Sequence, residues 1–325
     1  MRPDVLFVEL GSTAGLRAAE AELRDALERA GASVRRAAAA APREVRTFAL
    51  TDLGWARAAR RAARRALHEE RPRAVLYSTT TAALLWPQPG AIRFDALAAT
   101  SRPGRHGVWQ RPVERRRLEQ APLLVPQDPA WAEGTAAGAR TPVVVVPIPV
   151  EPSGPPGPRD LAAVTYAANP AKKGLDRVLA AWAAVRRAGE ELVVGGIAAG
   201  PPAPGVRYAG LLAPDAWRAL VRRARVYVTA PRREDYGLAQ LEALADGCRV
   251  VSTTAPGPYA ALAVLRALEP GLVVTPDGLA GALRAALDAP QDDWGPRALE
   301  AVAPFRRAAV DRVVAEELLP ALLAR

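Results

Sequence analysis

A chain of 325 residues, half of them apolar and 24% charged, has the composition of a folded globular protein and the length for two domains of ordinary size. Its single cysteine excludes an internal disulfide and a cysteine-based zinc site, and no apolar run approaches the length of a transmembrane helix. The formal charge of +10 would draw nucleic acid, an anionic membrane surface or a phosphorylated substrate.

Many of the arginines lie in helical runs such as RAARRAARRALHEE (57–70), where a solvated face explains them. Neither aromatic–basic alternation nor a helix-turn-helix or zinc-finger pattern occurs, so nucleic acid is not the expected partner. The N-terminus leads straight into a strand without the apolar core of a signal peptide. The expected location is cytoplasmic, with peripheral contact at the inner face of a membrane left open.

In chain order, Val5-Leu6-Phe7-Val8 reads as a short apolar strand, followed by a glycine-bounded turn at 11–15 and a periodic helix over 16–30. A strand near 45–50, the arginine-rich helix 55–70 and a strand at 74–77 come next, with further strands expected at 122–125 and 143–146. Continuous apolar strands separated by helices predict a parallel sheet covered on both faces. The stretch EPSGPPGPRD (151–160) holds four prolines and two glycines, which no helix or central strand accommodates, so it reads as a linker between domains.

The alternation then restarts. Strands are expected at 161–166, 191–194, 206–208, 226–229, 249–252 and 272–274, with helices at 174–188, 214–223, 237–245, 277–288 and 300–324. The fold class is therefore α/β: two open domains, 1–150 and 161–300, with a ligand cleft facing the carboxyl ends of their strands. The segment 301–325 carries Val310, Val313, Val314, Leu318, Leu319 and Leu322, an apolar set broad enough to need a packing partner.

Gly11-Ser12-Thr13-Ala14-Gly15 is not a GxGxxG fingerprint and no acidic ribose-binding residue follows, so a dinucleotide site is poorly supported. Asn169-Pro170-Ala171-Lys172-Lys173-Gly174 sits between a strand and a helix and points a cation at the cleft, although a lysine pair is ordinarily just solvated. Gly195-Gly196 closes another strand and suits either a close pass against a diphosphate or a plain turn. With Lys173 and the helix opening near Gly237, these residues form a candidate anion site. In the absence of a Walker pattern, the phosphate would belong to a bound nucleotide.

The stretch REDYGLAQLEALADGCRVVST (233–253) places Glu234 in a loop and Glu242 in the helix that follows. Eight residues of helix would separate them by about 12 Å, but the loop lets the first carboxylate fold back. One would then bind sugar hydroxyls and the other ribose hydroxyls; alternatively Glu234 is solvated and Glu242 balances an arginine. The polar run RFDALAATSRPGRHGVWQRPVERR (93–116) gathers Asp95, Arg102, Arg105, His106, Trp109 and Gln110. His106 is either a surface residue or a side chain reaching the cleft.

The string VRYAG…LVRRARVYVTAPRREDYGLAQLEALADGCRVVSTTAPG resembles the donor-binding half of retaining, GT4-like glycosyltransferases of the GT-B fold, the "glycosyl transferases group 1" family. Glu234 and Glu242 resemble its glutamate–seven residues–glutamate motif, Lys172-Lys173-Gly174 its lysine loop, and 192–196 its glycine-ended strand; the likeness spans about 161–256. It implies two Rossmann-like domains facing across a cleft, the first for the acceptor and the second for the donor, with the C-terminal segment crossing back onto the first.

The resemblance further implies that Glu242 binds the donor ribose, Glu234 contacts the transferred sugar, and Lys173 binds the diphosphate together with the amides of Gly237 and Leu238. Arg207 and Tyr208 fall in its nucleobase-contacting loop, and His106 is the candidate for the family's histidine near the transferred sugar. Where the family carries an arginine five residues before its lysine, this chain has Ala168, and Arg207 is a candidate replacement. No Asp-rich metal motif is present, in keeping with a metal-independent transferase. The expectation is sugar transfer with retention from a UDP- or GDP-type donor, with no other cofactor, to a saccharide, lipid-linked or small-molecule acceptor, in cell-envelope or other glycan synthesis. A non-catalytic module binding an anionic surface or nucleic acid, and a sugar-nucleotide epimerase, are the rival readings.

Overall fold

The computed structural model describes residues 2–43, 47–102, 104–133, 141–257, 259–290 and 293–324. The chain divides into two units, Met1–Pro149 with Arg307–Arg325, and Val150–Arg306.

In the first unit, β1 (Val5–Glu9), β2 (Val34–Ala38), β3 (Ala74–Tyr77), β4 (Ala91–Phe94) and β5 (Leu124–Pro126) form one sheet in the order β2-β1-β3-β4-β5. Every pairing in it is parallel. Because side chains alternate across a strand, β1 feeds two cores. Leu6 and Val8 meet Tyr77, Ile92 and Leu124 under Ala59 and Ala63 of the helix Phe48–Glu69. Val5 and Phe7 meet Leu76 and Val125 on the other face, under Leu23 and Leu27 of the helix Ala14–Arg29.

That second face is completed by the C-terminal segment. Arg307–Val313, a π turn at Val314–Leu318 and Leu319–Leu323 run in succession, and their Val310, Val314, Leu318 and Leu322 are all buried in the same core as Val5 and Phe7. The spacing of four keeps these side chains on one stripe. Asp311 accepts two hydrogen bonds from Arg29, and Glu22 pairs with Arg307, fastening the segment to the helix Ala14–Arg29.

Two expectations for this unit change. The helix Phe48–Glu69 begins where a strand at 45–50 was expected, with the Thr47 hydroxyl accepting the Leu50 N–H at its start; residues 45 and 46 lie outside the described set. The edge strand is instead Val34–Ala38, whose sequence VRRAA carries no apolar run because only Ala37 is buried. Likewise the 143–146 run adds no ladder strand; Val143 makes one isolated parallel bridge to Leu124.

The second unit holds β6 (Leu161–Tyr166), β7 (Leu192–Gly195), β8 (Val206–Gly210), β9 (Ala224–Thr229), β10 (Arg249–Thr253) and β11 (Val273–Val274). Their order is β11-β10-β9-β6-β7-β8, again with parallel pairing throughout. The chain builds outward from β6 to β8, then returns to the other side of β6 for β9. This reversal makes the carboxyl ends of β6 and β9 a topological switch point, where ligands bind in open α/β sheets.

Residues 151–160 are docked on the second unit. The Ser153 N–H and hydroxyl donate to Asp246, and the Arg159 guanidinium donates to the carbonyls of Val221, Ala224 and Asp246. The Val150 N–H donates to the Phe305 carbonyl at 2.8 Å, and Arg306 pairs with Glu151 at 2.6 Å, so the two chain crossings between units lie side by side. No described helix is long and apolar enough to cross a membrane.

Candidate functional site

The loop after β6 shapes itself locally. Asn169 accepts the Lys172 N–H at 2.9 Å, Pro170 takes the first helical position, and Gly174 ends the turn at φ 64°. A β-carbon on Gly174 would lie 1.9 Å from the Ala230 carbonyl oxygen, so glycine is required for this loop to meet the loop after β9.

The two loops are joined along their length. The Arg232 N–H donates to the Lys172 carbonyl, while its guanidinium donates to the Ala171 carbonyl and to both oxygens of Asp176. Lys173 Nζ lies 2.6 Å from Glu234 Oε2, and Lys172 Nζ lies 3.0 Å from Asp235 Oδ2. Arg233 also donates to Asp235, at 2.7 Å. Burial opposes the charge of Asp235, but Lys172 and Arg233 outweigh it and hold the carboxyl below its ordinary range. Cationic heads from Lys172, Lys173 and Arg233 thus meet two carboxylates at the switch point. An anionic ligand can recruit such cations by displacing the chain's own acids.

The helix Leu238–Ala245 opens at Gly237, whose φ is 84° and whose added β-carbon would meet Tyr259 at 2.7 Å and Ala261 at 2.8 Å. The Gln240 and Leu241 amides donate to the Gly237 carbonyl, and no side chain caps the helix, so its N-terminus suits an anion at the Leu238 end. One turn on, Glu242 stands 3.5 Å from Arg218 of the helix Pro214–Arg223. Its carboxyl is raised above the ordinary range, chiefly by burial and also by Asp246, with Arg218 acting against both.

The charges of Glu234 and Glu242 are both felt by one buried side chain. The Tyr227 phenol in β9 is pushed upward by burial first, then by the charges of Glu234 and Glu242. Tyr227 meets Trp217 edge-on, and Trp217 meets Tyr166, forming an aromatic layer from β9 to β6. Trp217 also explains Gly195, where a β-carbon would lie 2.6 Å from the indole. Gly196, at φ 89°, turns the chain against Ala168 and Tyr166.

The remaining expected residues are more dispersed. Tyr208 donates from its hydroxyl to the Pro201 carbonyl at 2.7 Å, over Gly200. Arg207 pairs with Glu191, just before β7 begins, and does not join the cations at Glu234 and Asp235. His106 sits exposed on the turn Gly104–Gly107 of the first unit. Much of the polarity around it is structural: Arg102 and Gln110 both donate to the buried Asp52, and Arg111 donates to the Arg102 carbonyl. The glycine turn at 11–15 is also occupied from within, since the buried Glu20 carboxylate accepts from the amides of Leu10 and Gly11. Among the described residues, no three His, Cys, Asp or Glu side chains gather as a metal site.

Residues 159–289, which contain every element of this cluster, match the family described as "Glycosyl transferases group 1". The second unit matches the group 1 glycosyltransferases, and the chain has the GT-B fold. Sucrose-phosphate synthase from Thermosynechococcus elongatus superposes with a TM-score of 0.79 at 17% identity, covering 100% of each chain. The α,α-trehalose 6-phosphate synthase of Burkholderia multivorans gives 0.69 at 15% identity over 99% of this chain and 98% of its own. Anabaena HepE, solved with UDP and glucose, gives 0.68 at 14% identity over 98% and 99%. No curated protein matches the chain in sequence. At these identities the superpositions establish the two-Rossmann architecture, and the group 1 match is confined to residues 159–289.

Arg218, Tyr227, Asp235 and Tyr259 of the second unit were not legible as site residues. Asp235 adjoins a motif glutamate and carried the nearest signal. Arg218 and Tyr227 reach the site only through the crossover and the sheet, so no local spacing marks them.

Proposed function

We propose that this glycosyltransferase moves a sugar from a nucleoside-diphosphate donor to an acceptor hydroxyl with retention, and that the loops after β6 and β9 hold the donor's diphosphate and sugar. The observation that carries this reading is the Lys173–Glu234 contact of 2.6 Å at the switch point, within the segment that matches the family. Lys173 and the amides of Gly237 and Leu238 bind the diphosphate. Glu234, released from Lys173 when phosphate arrives, accepts hydrogen bonds from the transferred sugar.

Glu242 accepts from the ribose hydroxyls, and the nucleobase lies toward Gly195, Gly196, Arg207 and Tyr208. As the glycosidic bond breaks, negative charge develops on the leaving diphosphate, where a fixed ammonium and helix amides stabilise it most. Glu234 serves by position and charge. The first unit, with His106, takes the acceptor. The UDP and glucose bound in HepE support a uridine nucleotide as the first donor to test. The formal charge of +10 supports an acceptor, or a surface carrying it, that is anionic.

Release of nucleoside diphosphate from UDP- and GDP-sugars tests the reading. The protein should liberate one of them, and Lys173→Ala or Glu234→Ala should lower kcat/KM by about 100-fold or more. Release no faster than without protein, for every donor, would overturn it.

A further inference from the structure

Arg218 uses every nitrogen of its guanidinium. Nε donates to Asp246 Oδ2 at 2.6 Å, and one terminal nitrogen donates to the carbonyls of Glu151 at 2.9 Å and Glu242 at 3.2 Å. The other terminal nitrogen stands 3.5 Å from Glu242 Oε1. The Arg218 side chain is 13% exposed and that of Asp246 not at all. Asp246 in turn accepts from the N–H and hydroxyl of Ser153, and Arg222 donates to the same hydroxyl. One buried guanidinium therefore joins the carboxylate and carbonyl of Glu242 to the peptide where the chain enters the second unit.

We propose that Arg218 is a positioning residue of the donor site, which fixes the place and charge of Glu242 and ties it to the crossing segment at Glu151 and Ser153. The inference rests on Glu242 being the ribose ligand, as proposed above. An ionised carboxylate is acceptor-only and binds two ribose hydroxyls more strongly than its protonated form, and in this buried position a nearby guanidinium favours the ionised state. Opposing it are burial first and then Asp246, which caps the end of the same helix, and the Tyr227 phenol of β9 is coupled electrostatically to Glu242. Charged groups on other elements packed against this helix have partners elsewhere: Arg249 donates to Glu269 and the Pro290 carbonyl, and Arg297 donates to the Leu268 carbonyl.

Two substitutions should act with opposite sign. Removing the guanidinium raises the Glu242 carboxyl further, whereas removing the charge of Asp246 lowers it. UDP affinity, with GDP as second probe, would be measured calorimetrically from pH 5 to 9 in the full chain. Glu242→Gln defines the part of the pH dependence that belongs to Glu242. Relative to wild type, Arg218→Met should move the midpoint of that part upward by about one pH unit or more, and Asp246→Asn should move it downward.

At pH 7 Arg218→Met should bind about 10-fold more weakly, with part of the loss recovered at pH 9. If Arg218→Met does not fold, Asp246→Asn alone decides by the direction of its shift. Weaker binding at every pH with unmoved midpoints would overturn the positioning role and leave Arg218 a structural clamp. Wild-type protein that binds neither nucleotide would instead overturn the donor-site reading, and this inference with it.

Discussion

Gly174 stands where a left-handed turn and the Ala230 carbonyl both leave no room for a side chain. Gly174→Ala must therefore separate the loops after β6 and β9, the pair that brings Lys173 to Glu234. We expect it to lower stability by about 2 kcal/mol or more, measured by urea denaturation, and to weaken nucleotide binding; an unchanged midpoint would contradict the close approach. Cys248 makes a different residue-scale case. Burial pushes its thiol up to about 12, and the thiolate is the reactive form. Native protein at pH 8 should resist alkylation by iodoacetamide, with labelling followed by mass spectrometry, and react only on unfolding. Rapid labelling of the native state would contradict the burial.

At the scale of elements, the C-terminal segment is the clearest case of a pattern that needs a partner and has one. Val314 and Leu318 are fully buried with Val5, Phe7 and Leu27. Leu318→Ala should cost about 2–5 kcal/mol in a denaturation curve, and a loss below about 1 kcal/mol would contradict packing there. The spacing of that segment was legible because a helix shows its buried stripe in sequence. The second unit was legible for a related reason: β6 and β9 carry mostly apolar residues and are buried at five of six positions each.

The edge strand Val34–Ala38 was hidden because two of its five residues are arginines turned to solvent, and β4 because the buried Arg93 interrupts it. The same physics governs the site. Lys173, Glu234 and Glu242 could be read locally, since loop and helix termini set their places. Arg218 and Tyr227 depend on a crossover and a strand register that adjacent residues do not encode. Around His106, polarity that suggested chemistry is largely used to hold the segment, through Arg102 and Gln110 on Asp52.

On the scale of the whole molecule, the chain enters the second unit at Val150 and leaves it at Arg306, and these crossings are bonded to each other. The second unit gathers the cationic loop, the helix N-terminus at Gly237 and both motif glutamates, which supports the proposal that it recognises the donor. Calorimetric titration with UDP, GDP, ADP and dTDP, repeated on Glu242→Ala, tests that assignment most directly. One nucleotide should bind, and the variant should weaken it by about 10-fold or more, the loss of hydrogen bonds to a charged group. Flat traces for all four nucleotides in the wild-type protein, or binding unchanged in Glu242→Ala, would contradict it.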